Sequence, residues 1–373
     1  MMMKLNEKRI LDTFFAITAL DSPSYHERKI AEYLKKAYAE LEIPLEEDSC
    51  ARIFGGDTGN LFGRLNGTLP GAPILFSGHM DTVEPSCGKV PVLHTDGKIT
   101  SDGTTVLGAD DVSCLTAILE AVRYLKETGT PHRDLELMFS VAEEHFSEGS
   151  RRFDYTKLRS KMGYVFDLSA DMGAAALKAP GSVHFWLTVH GKAAHSGFNP
   201  EDGIHAISIA ADAISQLTFG HTDPITIVNI GTIHGGRMTN IIPERCEMEG
   251  EIRSYKDVRI QEELDHIVEV FRASAEKFGG SIEERHEWCY KALDTPEDRE
   301  VVHFYRRACE KTGLPCTLTG TFGLSDCNHL PQNGIEGIVV SSAMWNCHSI
   351  AEYTTEEALI RLTELVITLM TQE

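Results

Sequence analysis

Several apolar runs in this chain stop abruptly at an imidazole or a carboxylate. Pro73-Ile74-Leu75-Phe76 leads into Ser77-Gly78-His79-Met80-Asp81, and Leu135-Glu136-Leu137-Met138-Phe139-Ser140-Val141 leads into Glu143-Glu144. Tyr164-Val165-Phe166 ends at Asp167, and Gly337-Ile338-Val339-Val340 is followed, after a short connection, by His348. A short apolar run of this kind reads as a strand buried on both faces. Helical patterns fall between the runs, over 6–20, 25–41, 112–127, 296–312 and 355–370. Strands alternating with helices, with polar residues at the strand C-termini, predict an open α/β sheet whose site lies at its carboxyl edge. Ser24 and Glu27 are spaced as a capping box for the second helix.

From about residue 181 the rhythm changes. Strand 183–189, helix 200–217, strands 225–233 and 245–253, helix 258–278 and strand 281–289 describe a compact α+β module of ferredoxin-like type. The segment after it returns to the first pattern, so the module is an insertion. The expected division is 1–180 and 292–373 for one domain and 181–291 for the insert. Two domains suit a chain of 373 residues.

A net charge of −21 argues against nucleic acid or an anionic membrane as partner, because no basic stripe could neutralise phosphates. The nine cysteines, at 50, 87, 114, 246, 289, 309, 316, 327 and 347, are odd in number and form no C-x-x-C pair. Reduced thiols in a cytoplasmic protein fit that usage better than a disulfide framework. Phe14-Phe15-Ala16-Ile17 is too short for a signal peptide, and no run approaches the length of a membrane span.

His, Asp and Glu side chains gathered at one sheet edge are the ligand types that hold zinc-like ions. His79 and Asp81 lie two apart, so on a strand they face the same way. A metal-bound imidazole commonly gives its other N–H to a carboxylate, which suits Asp81 as the partner that steadies His79. Asp110, after Leu107-Gly108-Ala109, can sit where two ions converge, while Asp111 is placed to cap helix 112–127. Adjacent Glu143 and Glu144 can supply one ligand and one free base. Taken singly, each has an ordinary alternative: a hydrogen-bonded core pair, a helix cap, two solvated acids. His348, in Cys347-His348-Ser349-Ile350-Ala351-Glu352-Tyr353, competes with His329 among 16 histidines. His195, in Gly191-Lys192-Ala193-Ala194-His195-Ser196-Gly197, lies on a loop of the insert. Gly55-Gly56-Asp57-Thr58-Gly59 lacks the Lys-Ser/Thr of a phosphate loop and reads as a turn.

In combination, the order His79-x-Asp81, Gly108-Ala109-Asp110-Asp111, Glu143-Glu144, Asp167, His195, Asn240 and His348 resembles the dinuclear metallopeptidase family of peptidase T, glutamate carboxypeptidase and aminoacylase. The peptidase T-like members are most similar in wording, and the likeness runs over nearly the whole chain. It implies a mixed-sheet zinc-peptidase catalytic domain interrupted by a ferredoxin-like lid that forms a homodimer contact. By motif position, His79 and Asp167 would bind one divalent ion, Glu144 and His348 the other, with Asp110 between them. The ions would be zinc, or cobalt or manganese. Glu143 would be the general base for a water bridging the ions, and Asp81 would orient His79. His195 would reach from a partner subunit to the oxyanion. Asn240, Arg253 and Arg237 would hold substrate, and the Asp110–Asp111 peptide would be cis.

Three positions depart from the family pattern and bear on the substrate. His145-Phe146 follow the paired glutamates, Leu324 stands in Phe322-Gly323-Leu324-Ser325-Asp326-Cys327 where glycine is usual, and Trp345 and Cys347 flank the approach to His348. The implied activity is cleavage of a small di- or tripeptide. An N-acyl amino acid amidohydrolase and an inactive metal-holding or partner-binding relative stand as alternatives.

Overall fold

A computed structural model describes residues 3–372. The chain divides into two compact units, one running to Lys178 and resuming at Asp294, the other Ala179–Leu293.

The first unit is built on a nine-stranded mixed sheet. At its centre Ile74–His79 lies between Leu135–Ser140 and Met162–Leu168, parallel to both, and Glu336–Ser341 lies parallel to Met162–Leu168 on the far side. In register, Ile74 faces Leu135 and His79 faces Ser140. The Ile74–His79 and Leu135–Ser140 strands are buried at every residue, as expected of parallel strands covered on both faces. Helix Ala109–Thr128 packs on this sheet, buried around most of its circumference from Ala109 to Val122. Helices Glu7–Thr18, Arg28–Ala39, Glu300–Thr312 and Glu356–Met370 complete the cover. Because parallel strands share one direction, the residues that follow all four come out at one edge.

The second unit has a five-stranded antiparallel sheet, with Gly181–His190 between Arg245–Ser254 and Ser281–Tyr290, and then Thr226–Gly235 and Gly220–Asp223 outward. Helices Ala206–Ile214 and Asp257–Phe278 bury one apolar stripe each against it.

Local readings of the sequence fail in four places. No capping box forms at the second helix: Ser24 donates to Asp81 instead, and Glu27 takes the N–H of Tyr25 and Ala142. Asp111 does not cap its helix, because its carboxylate accepts the Ser342 hydroxyl and the His79 N–H. The helix expected over 200–217 shrinks to Ala206–Ile214, because Pro200–Asp202 makes a separate turn and Gly203 follows it. Trp345 does not line the approach to His348; it stacks on Tyr353 at 5.4 Å. The nine cysteines are free thiols, and among the described residues no helix is long and apolar enough to cross a membrane.

Candidate metal centre

The carboxyl edge of the parallel strands brings His79, Asp81, Asp110, Glu143, Glu144, Asp167 and His348 together. His79 ends its strand, with Nε2 3.0 Å from Asp110 Oδ1 and Nδ1 3.0 Å from the Asp81 carbonyl oxygen. His348 Nε2 is 3.3 Å from Asp110 Oδ2 and 3.0 Å from Glu144 Oε2. Among the described residues, three sets of ligand atoms fall within 4.8 Å of one another: His79, Asp110 and Asp167; Asp110, Glu144 and His348; and His79, Glu143 and Glu144. The first two sets share Asp110 and each contains one imidazole. His329 belongs to no such set; it sits in the turn Asp326–His329, where burial pushes its imidazole down to about 4.

Asp81 works differently from the expectation of a simple His79 partner. Its Oδ1 stands 3.4 Å from His79 Nδ1, but the carboxylate also accepts the N–H of Glu143 (2.9 Å), the N–H of Glu144 (3.1 Å) and the Ser24 hydroxyl (2.7 Å). It thereby holds the turn that carries both glutamates. That turn begins at Ala142, whose φ of 48° is unusual for a residue with a side chain, and whose N–H is fixed by buried Glu27. Burial and the neighbouring Asp81 push the Glu27 carboxyl up to about 8. The Ser147 hydroxyl donates to Glu143 Oε1. Asn346 and His348 also have positive φ, and the Asp110–Asp111 peptide is cis.

Electrostatics set the character of the place. Burial, then the nearby carboxylates of Asp326, Glu144 and Asp81, pushes the Glu143 carboxyl well above the usual range. Asp167 is raised by burial and by Glu143 and Asp110, and Glu144 by burial and Asp110. Asp110 stays low despite burial, because His348 and His79 hydrogen-bond to it. Those same contacts raise His79 and lift His348 to about 10. So many acids packed together cannot all ionise unless cations are added. The orphaned, buried Glu144 Oε1, the donor set of oxygens and imidazoles, and the shared position of Asp110 all fit two divalent ions. The adjoining cavity, about 500 Å³, is lined by Asp110, Glu143, Glu144, Asp167 and His348 and by Leu168, Leu324, Met344, Asn346 and Cys347.

The other four candidates belong to the inserted unit. His195 is exposed on its loop and stacks on Phe198 at 4.2 Å. Its Nδ1 accepts the N–H of Gly197 and Phe198, which leaves the proton of the neutral ring on Nε2. The Asn240 carbonyl accepts the Ser196 N–H, so Asn240 adjoins that loop. Arg253 pairs with Glu251 and Arg237 with Glu244. Sequence reading gave Glu27 only a capping role and did not single out Asp326 or Glu352; all three are buried acids of the first unit. Asp326 takes the hydroxyls of Ser140 and Ser150, and Glu352 takes two backbone N–H groups beside Asp110. Glu352 follows His348 by four residues, which was the available signal, but nothing local separates it from a solvated acid; Glu27 lies far in sequence from every site motif and gave none.

Comparison with known proteins places the chain beside metallopeptidase relatives. Residues 177–279 match the model of the M20 peptidase dimerisation domain. The chain is 33% identical to the uncharacterised protein YqjE of Bacillus subtilis over 98% of both chains. Its structure is similar to that of a tripeptidase from Staphylococcus aureus, with TM-score 0.94, 32% identity and 98% of each chain covered. It is also similar to that of the aminopeptidase PepT from Bacillus cereus, with TM-score 0.91, 33% identity and the same coverage.

Proposed function

This chain belongs to the M20 metallopeptidase family, among its peptidase T-like members, and on that premise we propose how it works as a metal-dependent exopeptidase acting on short peptides. The observation that carries the reading is Asp110, common to two ligand sets that each hold one histidine. His79 and Asp167 would bind one ion and Glu144 and His348 the other, with Asp110 shared; zinc suits the ligands best. Such a pair, when bound, polarises a scissile carbonyl and makes adjacent water more acidic.

The chain's own residues supply the rest. Glu143 is the general base: its carboxylate takes a proton from water and returns it to the leaving amine. The Ser147 hydroxyl at Oε1 keeps that carboxylate in one orientation. Asp81 serves both sides, steadying His79 and fixing the turn that presents Glu143 and Glu144. His195, with its proton on Nε2, is the donor for the developing oxyanion in a homodimer formed through the inserted unit. Asn240, Arg237 and Arg253 are the residues that would hold substrate, the arginines through donors that their glutamate pairs leave over. Nine free thiols are consistent with a cytoplasmic enzyme.

The test is hydrolysis of a panel of tripeptides, dipeptides and N-acyl amino acids by protein dialysed free of metal and then reloaded with zinc, cobalt or manganese. The reading expects metal-dependent release of an amino acid from short peptides. Turnover confined to the N-acyl amino acids would replace the peptidase assignment with a deacylase one, and no turnover of any substrate with two ions bound would mark an inactive relative.

A further inference from the structure

The shared ligand candidate Asp110 has a weakly determined backbone if only its own segment is considered. Asp110 and Asp111 lie outside helical dihedrals, and no side chain caps Gly108 at the helix start. The N–H groups there are taken by a single carboxylate from the other end of the chain. Glu352 Oε2 accepts the Gly108 N–H at 2.7 Å, and Glu352 Oε1 accepts the Asp110 N–H at 2.9 Å across 242 residues. Glu352 is 1% exposed. It stands four positions after His348, in a loop closed by the pairing of Trp345 with Tyr353 and by the Glu352 N–H to the Ser349 carbonyl oxygen. A buried lysine, Lys89, packs on the same turn: a Cβ on Gly108 would come within 3.3 Å of its Nζ.

We propose that Glu352 is a positioning residue, a two-pronged backbone clamp that sets the Asp110 carboxylate relative to His348. The proposal rests on the two-ion reading given above. Asp110 Oδ2 and His348 Nε2 stand only 3.3 Å apart, yet His348 is on a loop and its side chain is 56% exposed. Without a tie, the loop could move while the helix end stays. The clamp removes that freedom, because the residue that orders the Asp110 backbone belongs to the His348 loop itself. A purely structural role, capping the start of helix Ala109–Thr128, would use the same bonds, but it would leave the metal ligands indifferent to them.

Glu352→Gln separates the two roles. The amide keeps the volume but offers one acceptor, and its NH₂ faces an N–H donor, so one prong is lost. Cobalt titration of the dialysed protein, followed by calorimetry and visible absorption, is expected to show affinity about 10–100-fold weaker. The absorption bands should shift, and kcat should fall with KM little changed. Glu352→Asp, too short to reach both N–H groups, is expected to lose less in the same direction, and it carries the test if the Gln variant does not fold. A folded variant with a lowered Tm but wild-type cobalt affinity and spectrum overturns the clamp and leaves a helix cap. A wild-type protein that takes up no cobalt would instead refute the two-ion reading, and the clamp with it.

Discussion

In the sheet-built unit, the candidate residues are braced against one another and, apart from His348, largely buried. His79 is 2% exposed, Asp110 7% and Glu143 7%, and each is held by bonds that reach it from distant parts of the chain. In the inserted unit, His195, Asn240 and Arg237 lie exposed on loops or a strand end, held mainly by their near neighbours in sequence. The contrast separates two jobs. A cage for cations must keep mutually repelling carboxylates close, which only a buried, cross-braced scaffold can do. A group that contacts substrate need only offer a donor, so it can sit on a loop. Changes at the assigned ligands of the first region should therefore alter metal content, and changes in the second should alter rate alone.

Glu143→Gln probes this division hardest, because Glu143 lies within the cage without being one of the five assigned ligands. Activity should drop about 10³-fold or more while elemental analysis still finds two ions. Appreciable residual turnover would show that the base lies elsewhere. His348→Ala should reduce the metal content from two equivalents to one; two retained equivalents would point to another ligand. His195→Ala should lower kcat about 10²–10³-fold with metal content and Tm unchanged. A changed metal content in that variant would break the division between the units.

The smallest effect is expected well outside both regions, at Glu47. Its carboxylate is bonded by Arg28, Lys35, Thr58 and the Gly59 N–H. Burial alone would raise it, but these bonds hold it down to about 2. A folded-state value below the ordinary 4.5 means its contribution is complete above about pH 4.5 and fades as pH falls toward 2. Because the group is partly exposed, Glu47→Gln should cost about 1 kcal/mol or less. Thermal melts should show a gap of about 1–3 °C at pH 6 that narrows below about pH 4.5 and closes toward pH 2. A gap that widens in acid would reverse the assigned sign.

Much of this organisation is legible in the sequence, because parallel strands announce themselves as apolar runs and the residue after each run is forced to the same edge. Glu144 and Asp167 are placed in this way, and His79 closes its own strand. What escapes is long-range. Tyr353–Thr355 pairs with Lys98–Ser101, and no local pattern joins segments so far apart. Ser24 and Glu27 read locally as a helix cap, but Asp81 and the Ala142 N–H outbid the helix for them. Asp111 likewise turns to Ser342 and His79. Each misreading assigns a polar side chain to its own segment when a buried donor or acceptor elsewhere needed it more.

Anomalous diffraction from a crystal soaked in zinc chloride tests the central claim most directly. Two peaks about 3.5–4 Å apart are predicted, one beside His79 and Asp167 and one beside Glu144 and His348, with Asp110 touching both. A single peak, or density at any other set of side chains, would contradict it.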